Sequence, residues 1–451
     1  MALERALADP GGPAYTFVVA DDLPGEGVMR KTAIPALLIL LVAACGGGGG
    51  RPSVLLLVID TLRADHVHCL GYGRGVTPTL DSLAAEGVLY AACQSQSTWT
   101  LPAMASLLTG TTERTHGAGT HGESFYGLTP ELVTIPRLLG EEGYSSFGLF
   151  NAPVVSERFG FPRDFESYDT EGCLDPLDAG PVVDRALKWL DGGNRGSFFM
   201  LLHFFDPHYP YAAPGSDPWL DSIPFTDVRI AVADGDLTGP QLERMVNLYD
   251  VEISYCDDQI SRLMAGLRER GLAEETVVVV VADHGEEFLE HGRVFHGQQL
   301  FQETVHVPMI ITGPGVPRDS VVRSPVGLFD VMPTIAHLCG LEAPAQVEGV
   351  SLLGEELPAD RGIPSSGTSG DIMQRAAMRF GDSKALWDAS ADSAWMYDLT
   401  AGFEDPDSTL RPDSAMVRSL RLYWASPRAG GAFTVEMEGR LSEAFRDLGY
   451  I

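Results

Sequence analysis

Three apolar runs in this chain end on an aspartate: SVLLLVID at Asp60, SFFMLLHFFD at Asp206 and TVVVVVAD at Asp283. His284 follows Asp283 directly, His208 stands two residues after Asp206, and His296 lies in the nearby HGRVFHG. A single aspartate at a strand end ordinarily starts a turn or caps the next helix. Three of them with three imidazoles form a mixed oxygen and nitrogen ligand set, which suits a divalent ion of the Zn or Mn type better than Ca. A nucleophile is available in STWTLPAMASLLTG, residues 97–110. There Thr100 opens an apolar run with Pro102 in its first turn and Gly110 past its end, the pattern of a helix with its threonine at the N-terminus. Taken alone, Thr100 reads as a capping residue. Beside metal ligands, at a helix end that favours anions, its hydroxyl can be made acidic enough to attack phosphorus or sulfur.

The elements that must hold these residues follow from the same runs. Each is apolar on both faces, as strands of a parallel sheet covered by helices on both sides are, and ligands of such sheets bind at the C-terminal strand edge. Helical patterns lie between them: TPTLDSLAAEG, PELVTIPRLLGEEG, PVVDRALKWLDGG and the long amphipathic stretch that ends against Gly271. Further short strands are expected at YSSFGLF and HVPMIIT. The alternation predicts an α/β fold, a doubly wound mixed sheet sandwiched by helices. The catalytic domain is expected over residues 51–357 and a linker with a small C-terminal α+β subdomain over 358–451, with RGIPSSGTSG as loop, strands around SAWMYDLT and a last helix near LSEAFRDLG. Asp257 and Asp258, on the long helix, are expected to face solvent.

A formal net charge of -31, with three lysines and no basic stretch able to track a phosphate backbone, argues against a nucleic-acid partner. The six cysteines are scattered without a CxxC pair, so they form neither a disulfide framework nor a zinc knuckle. MRKTAIPALLILLVAACGGGGG, from Met29, resembles a bacterial lipoprotein signal with Cys45 as the lipidated residue. Residues 1–50 are therefore expected to be a leader and Gly-rich tether, with the true start at Met29 and the protein exported to the cell envelope on a lipid anchor.

Together, VLLLVIDTLRADHVHCLGYGRGVTPTLDSLAAEGVLY, TWTLPAMASLLTG, DPHYPY, ADHGEEFLEHGRVFHGQQLFQETVHVPMII and MYDLTAGFEDPDS resemble the sulfatase family of the alkaline phosphatase superfamily. The resemblance runs from about Val54 to Leu353 and implies an alkaline-phosphatase-like fold and hydrolysis of small anionic esters. The departures are specific. Sulfatases begin their signature with a Cys or Ser converted to formylglycine and carry an Arg four residues later, where this chain has Thr100 and Met104. Threonine would oxidise to a ketone, not an aldehyde. A paired aspartate and a later Asn of the calcium site are here Thr61 and His284. These changes resemble the two-metal phosphoesterase branches, in which a Thr or Ser is the nucleophile. The resemblance implies a first ion held by Asp60, Thr100, Asp283 and His284, and a second by Asp206 and His296, with His208 completing that set or touching substrate. Asn151 and Arg63 are candidate anion contacts. His66, His68, His116 and His121 read as packing or surface residues, and His291 lies nearer the site. Transfer of a phosphoryl head group and non-catalytic anion capture are the alternatives to hydrolysis; an intact ligand set disfavours capture, and a single apolar leader disfavours transfer.

Overall fold

The computed structural model describes residues 50–447 except 122–123, 194–195, 212–230, 233, 236, 355, 359, 370–372, 405–408, 411–413 and 428–430. The leader, with Met29 and Cys45, lies outside the described residues. Eight strands form the central sheet: β1 Ser53–Ile59, β2 Gly87–Tyr90, β3 Ser145–Leu149, β4 Ser167–Asp169, β5 Phe198–Phe204, β6 Thr276–Ala282, β7 Met309–Thr312 and β8 Ser320–Val322. Their order is β8-β2-β7-β6-β1-β5-β3-β4. The middle strands β6, β1 and β5 run parallel, and β7 is antiparallel to β6. Every residue of β1, β5 and β6 is buried, as their unbroken apolar sequences require of strands covered on both faces.

Helices α1 Pro78–Ala85, α2 Thr100–Thr109, α3 Ala179–Asp191, α4 Gly239–Glu269 and α5 Val331–Leu338 cover this sheet. Helix α2 is the exception to amphipathic patterning: all ten of its residues are buried, as in a helix covered on every side. The 31-residue α4 opens on a capping box between Thr238 and Gln241. Asp258 is exposed, as the sequence suggests, but Asp257 is buried. Its carboxylate accepts the N–H groups of Thr79 at 2.8 Å and Leu80 at 3.0 Å, so one helix caps the start of another.

The C-terminal part is a five-stranded antiparallel sheet: β9 Ile363–Ser369, β10 Met373–Phe380, β11 Ser383–Asp388, β12 Ser393–Asp398 and β13 Thr409–Leu410, packed by α6 Ser414–Ala425. RGIPSSGTSG, read as loop from its Gly and Ser content, is mostly the edge strand β9. The strand is held from outside its own sheet. Ser366 N–H donates to the Gln96 carbonyl at 2.9 Å, the Ser365 hydroxyl to the Ser95 carbonyl at 2.5 Å, and the Ser366 hydroxyl to Glu113 at 2.6 Å. Local composition signals a turn; tertiary hydrogen bonding overrides it.

Candidate active site

Strands β1 and β6 lie in register with Ile59 beside Ala282, so the next residues, Asp60 and Asp283, leave the sheet side by side. His284 follows, and its Nδ1 stands 3.0 Å from the Gly285 carbonyl, which accepts the ring N–H. That tautomer leaves Nε2 with a lone pair. Nε2 faces Asp60 Oδ1 and Asp283 Oδ2, each 3.4 Å away, and Thr100 Oγ1 at 3.2 Å. Two ligands of one tetrahedral ion, each about 2.1 Å from it, stand about 3.4 Å apart. The spacing therefore fits a shared divalent cation, and Asp60, Asp283 and His284 form one of two such three-residue groups among the described residues.

The polar accounting agrees. Both carboxylate oxygens of Asp60, Asp283 Oδ2 and Thr61 Oγ1 are buried without a hydrogen-bond partner. Burial, then the neighbouring Asp283 carboxylate, pushes Asp60 well above the usual carboxylate range. Unpaired carboxylates at such depth are costly, and a cation is the partner that satisfies them. Thr61 adds backbone strain: a β-branched residue at φ 56°, a conformation that L side chains rarely adopt. It places the Thr61 N–H 3.3 Å from Asp283 Oδ1.

Thr100 is the first residue of α2, one position inside the capping residue, which is Trp99 in an extended conformation. Its hydroxyl is therefore not spent on the helix and turns to His284. The loop before it is pinned from the strand edge, where the Ser95 hydroxyl donates to the Asp283 and Ser97 carbonyls.

The remaining histidines gather beside this group. His296 Nδ1 is held by Glu286 Oε1 at 2.9 Å, and the His296 ring centre is 4.5 Å from that of His284 and 5.0 Å from that of His208. His208 stacks on Phe205 and donates Nδ1–H to the Tyr209 carbonyl at 2.5 Å. Burial, reinforced by the neighbouring His296, lowers its pKa to about 3, so the ring is neutral at ordinary pH. Asp206, which the sequence pairs with His296, lines a small cavity of about 40 Å³ with His208, Asp178 and Glu252, and burial raises its pKa to about 6. No three-residue ligand group among the described residues contains Asp206 or His296.

Two expected anion contacts are structural instead. Arg63 is buried, with Nε and Nη2 on Asp65 at 2.8 and 2.7 Å and Nη1 shared by Glu290 at 2.5 Å and the Glu286 carbonyl at 3.0 Å. Four of its five N–H donors are taken by internal acceptors. Asn151 is buried as well, its amide bonding both the N–H and the carbonyl of Leu177 at 2.8 Å. It acts on the site only through its backbone N–H, which donates to His203 Nδ1 at 3.4 Å. That directs His203 Nε2–H toward Asp60 Oδ2, also 3.4 Å away. His203 and Glu286 are thus functional neighbours that sequence reading passes over. The imidazole of His203 breaks the otherwise apolar run SFFMLLHFFD, and that interruption is the available signal. Burial lowers its pKa to about 4.

A family model described as Sulfatase matches residues 52–341. The chain belongs to the sulfatase family. Among relatives of this sulfatase-family chain, arylsulfatase K of Bos taurus is 23% identical over 356 residues, 67% of this chain and 65% of that protein. A sulfatase of Formosa agariphila is 22% identical over 374 residues, 67% and 72% of the two chains. The chain thus spans about 65% of the length of the first of these relatives. Among solved structures, the phosphonate monoester hydrolase SpPMH from Silicibacter pomeroyi superposes with a TM-score of 0.66 at 22% identity, covering 83% of this chain and 94% of that one. At that identity the likeness is one of fold, and it bears out the mixed α/β sandwich. Within the family fold the ligand group Asp60, Asp283 and His284 can hold a metal ion, and Thr100 occupies the place beside it.

Proposed function

We propose that this chain is a metal-dependent hydrolase of small phosphate or phosphonate esters in which Thr100 is the nucleophile. The observation that carries the reading is the Thr100 hydroxyl at the start of α2, 3.2 Å from His284 Nε2 and beside the unpartnered Asp60 and Asp283 carboxylates. Asp60, Asp283 and His284 would hold the ion, with Thr61 Oγ1 and Thr100 Oγ1 as the available hydroxyls. When bound, a divalent cation lowers the pKa of a coordinated hydroxyl and offsets charge developing on the ester oxygens. Thr100 Oγ1 would attack phosphorus, breaking the bond to the ester oxygen so that the alcohol departs with the proton that Thr100 gives up. Water would then cleave the resulting threonine ester, freeing the acid and restoring the hydroxyl. The dipole at the start of α2 favours the anionic centre in both steps. His208, neutral and with its proton on Nδ1, presents Nε2 as a proton acceptor, and Glu286 fixes the ring of His296.

The relatives named sulfatase make sulfate esters the natural competitor, but a threonine cannot supply an aldehyde hydrate for sulfate transfer. A screen of aryl phosphate, aryl phosphodiester, phosphonate and aryl sulfate substrates with Zn or Mn separates the two. Turnover of sulfate esters alone would refute the phosphoryl reading. The leader adds a second part to the proposal: Cys45 carries a lipid that holds the catalytic unit at the outer face of a membrane.

A further inference from the structure

We propose that His291, Glu303 and Glu404 form a second, non-catalytic divalent-metal site of the zinc type, joining the catalytic unit to the C-terminal sheet. The three residues come from separate places in the fold. His291 lies in the hairpin that also carries His296, Glu303 sits on the short helix Gln302–Val305, and Glu404 follows strand β12. One ligand atom from each lies within 4.8 Å of the others.

The cluster is not simply acidic. His291 Nε2 and Glu303 Oε2 face one another at 3.4 Å without a hydrogen bond, a distance equal to the ligand spacing at a tetrahedral ion. Both atoms are buried and without a hydrogen-bond partner, and Glu303 is only 7% exposed. The surroundings orient them. The His291 ring stacks on Phe301 with centres 3.6 Å apart, and Glu404 Oε2 accepts the Gln302 N–H at 2.8 Å. Packing and outer hydrogen bonds of this kind fix the rings and carboxylates of metal sites. Buried Lys384, 2.5 Å from Glu404 Oε1, balances one carboxylate. Glu303 feels Lys384 without an ion pair to it among the described residues, and burial with the neighbouring Glu303 pushes the Glu287 carboxyl up to about 8. Access exists, since a cavity of about 530 Å³ lined by Asp65, Gln302, Glu303, His306, Arg323 and Phe403 opens at this point.

An imidazole and two carboxylates, with the fourth position open to water, match a zinc donor set. The ion would fasten the C-terminal sheet to the hairpin whose other end places His296 beside His284. Its role is structural, which distinguishes it from the group around Thr100.

The test is zinc stoichiometry by equilibrium dialysis and elemental analysis on the full chain, comparing wild type with His291→Gln, Glu303→Gln and Asp283→Asn. His291→Gln and Glu303→Gln should each lower the bound zinc by one equivalent, and Asp283→Asn should lose a different equivalent, so that His291→Gln with Asp283→Asn binds none. Zinc should also raise the melting temperature of Asp283→Asn but not of that double variant. If His291→Gln and Glu303→Gln, both folded, bind as much zinc as wild type, the second site does not exist. Should Glu303→Gln fail to fold, His291→Gln and the zinc-dependent melting shift of Asp283→Asn decide alone. A wild type with one zinc that His291→Gln removes would overturn the metal assignment at Thr100 while upholding this one.

Discussion

Replacing Thr100 by alanine separates nucleophile from bystander. The hydroxyl is buried and touches His284 Nε2 at 3.2 Å, so Thr100→Ala deletes one oxygen and one methyl at the first position of α2. The folding cost is about 1–2 kcal/mol, from one lost hydrogen bond and a small void. The catalytic cost is of another order. Without an attacking oxygen the remaining groups can only polarise the ester, and loss of a nucleophile ordinarily lowers kcat about 10⁴- to 10⁶-fold, or about 5–8 kcal/mol of barrier. Thr100→Ser keeps the oxygen and loses one methyl, so kcat should stay within about tenfold of wild type while stability falls by about 1 kcal/mol. Thr61→Ala is the control, because Thr61 Oγ1 is a buried hydroxyl without a partner beside the carboxylates. The assay is steady-state hydrolysis of an aryl phosphate or phosphonate at saturating metal, with bound metal counted in parallel. Retention of activity within tenfold by Thr100→Ala would refute the reasoning. So would equal losses in Thr100→Ala and Thr100→Ser, which would make the methyl and not the oxygen the important group.

Other perturbations test the supporting structure. Buried His116 accepts the Ala118 N–H on Nδ1 and contacts the Ser106 hydroxyl through Nε2, and burial lowers its pKa to about 3. The unfolded chain takes up a proton there below about pH 6.5 while the folded one does not, so this stability is present above that pH and lost as pH falls toward 3. Between pH 7 and 5, denaturant unfolding of wild type should lose about 2 kcal/mol more than His116→Gln, and parallel losses would contradict the assignment. Asp257→Ala leaves the buried Thr79 and Leu80 N–H groups without their acceptor and should destabilise by about 2 kcal/mol, read from denaturation midpoints, with kcat unchanged. Asn151→Ala should lower stability by about 2–4 kcal/mol through the two lost Leu177 bonds without raising KM, whereas a large KM increase would restore it as an anion contact. Cys45→Ala in cells should move the protein from the detergent phase to the aqueous phase on detergent partitioning, and no movement would remove the lipid anchor.

The sheet and the meeting of Asp60 with Asp283 were legible because both depend on local pattern. Unbroken apolar runs ending in Asp60 and Asp283 fix two buried neighbouring strands, and register then brings the carboxylates together. Arg63 and Asn151 failed for a shared reason: residue type advertises a donor, but whether it is free depends on acceptors distant in sequence, Glu290 for one and Leu177 for the other. The strand end that carries Asp206 sets its place at the sheet edge but not its company, which is His208 together with Asp178 and Glu252 around one small cavity. His203 was hidden inside a strand whose neighbours are all apolar. Strand β9 was misread since its Gly and Ser content is that of a loop, and the partners that straighten it, Ser95 and Gln96, are about 270 residues earlier in the chain.

Those same contacts of β9 bear on biosynthesis. The segment Ser95–Thr98 leads directly into Thr100, and its carbonyls are bonded by Ser365 and Ser366, beyond residue 341, where the family match ends. A ribosome that has completed the whole central sheet has therefore not yet delivered the strand that bonds the approach to Thr100. Until Ser365 and Ser366 have emerged, the carbonyls of Ser95 and Gln96 lack these two partners, so the surroundings of Thr100 are completed late in synthesis, after the sheet itself.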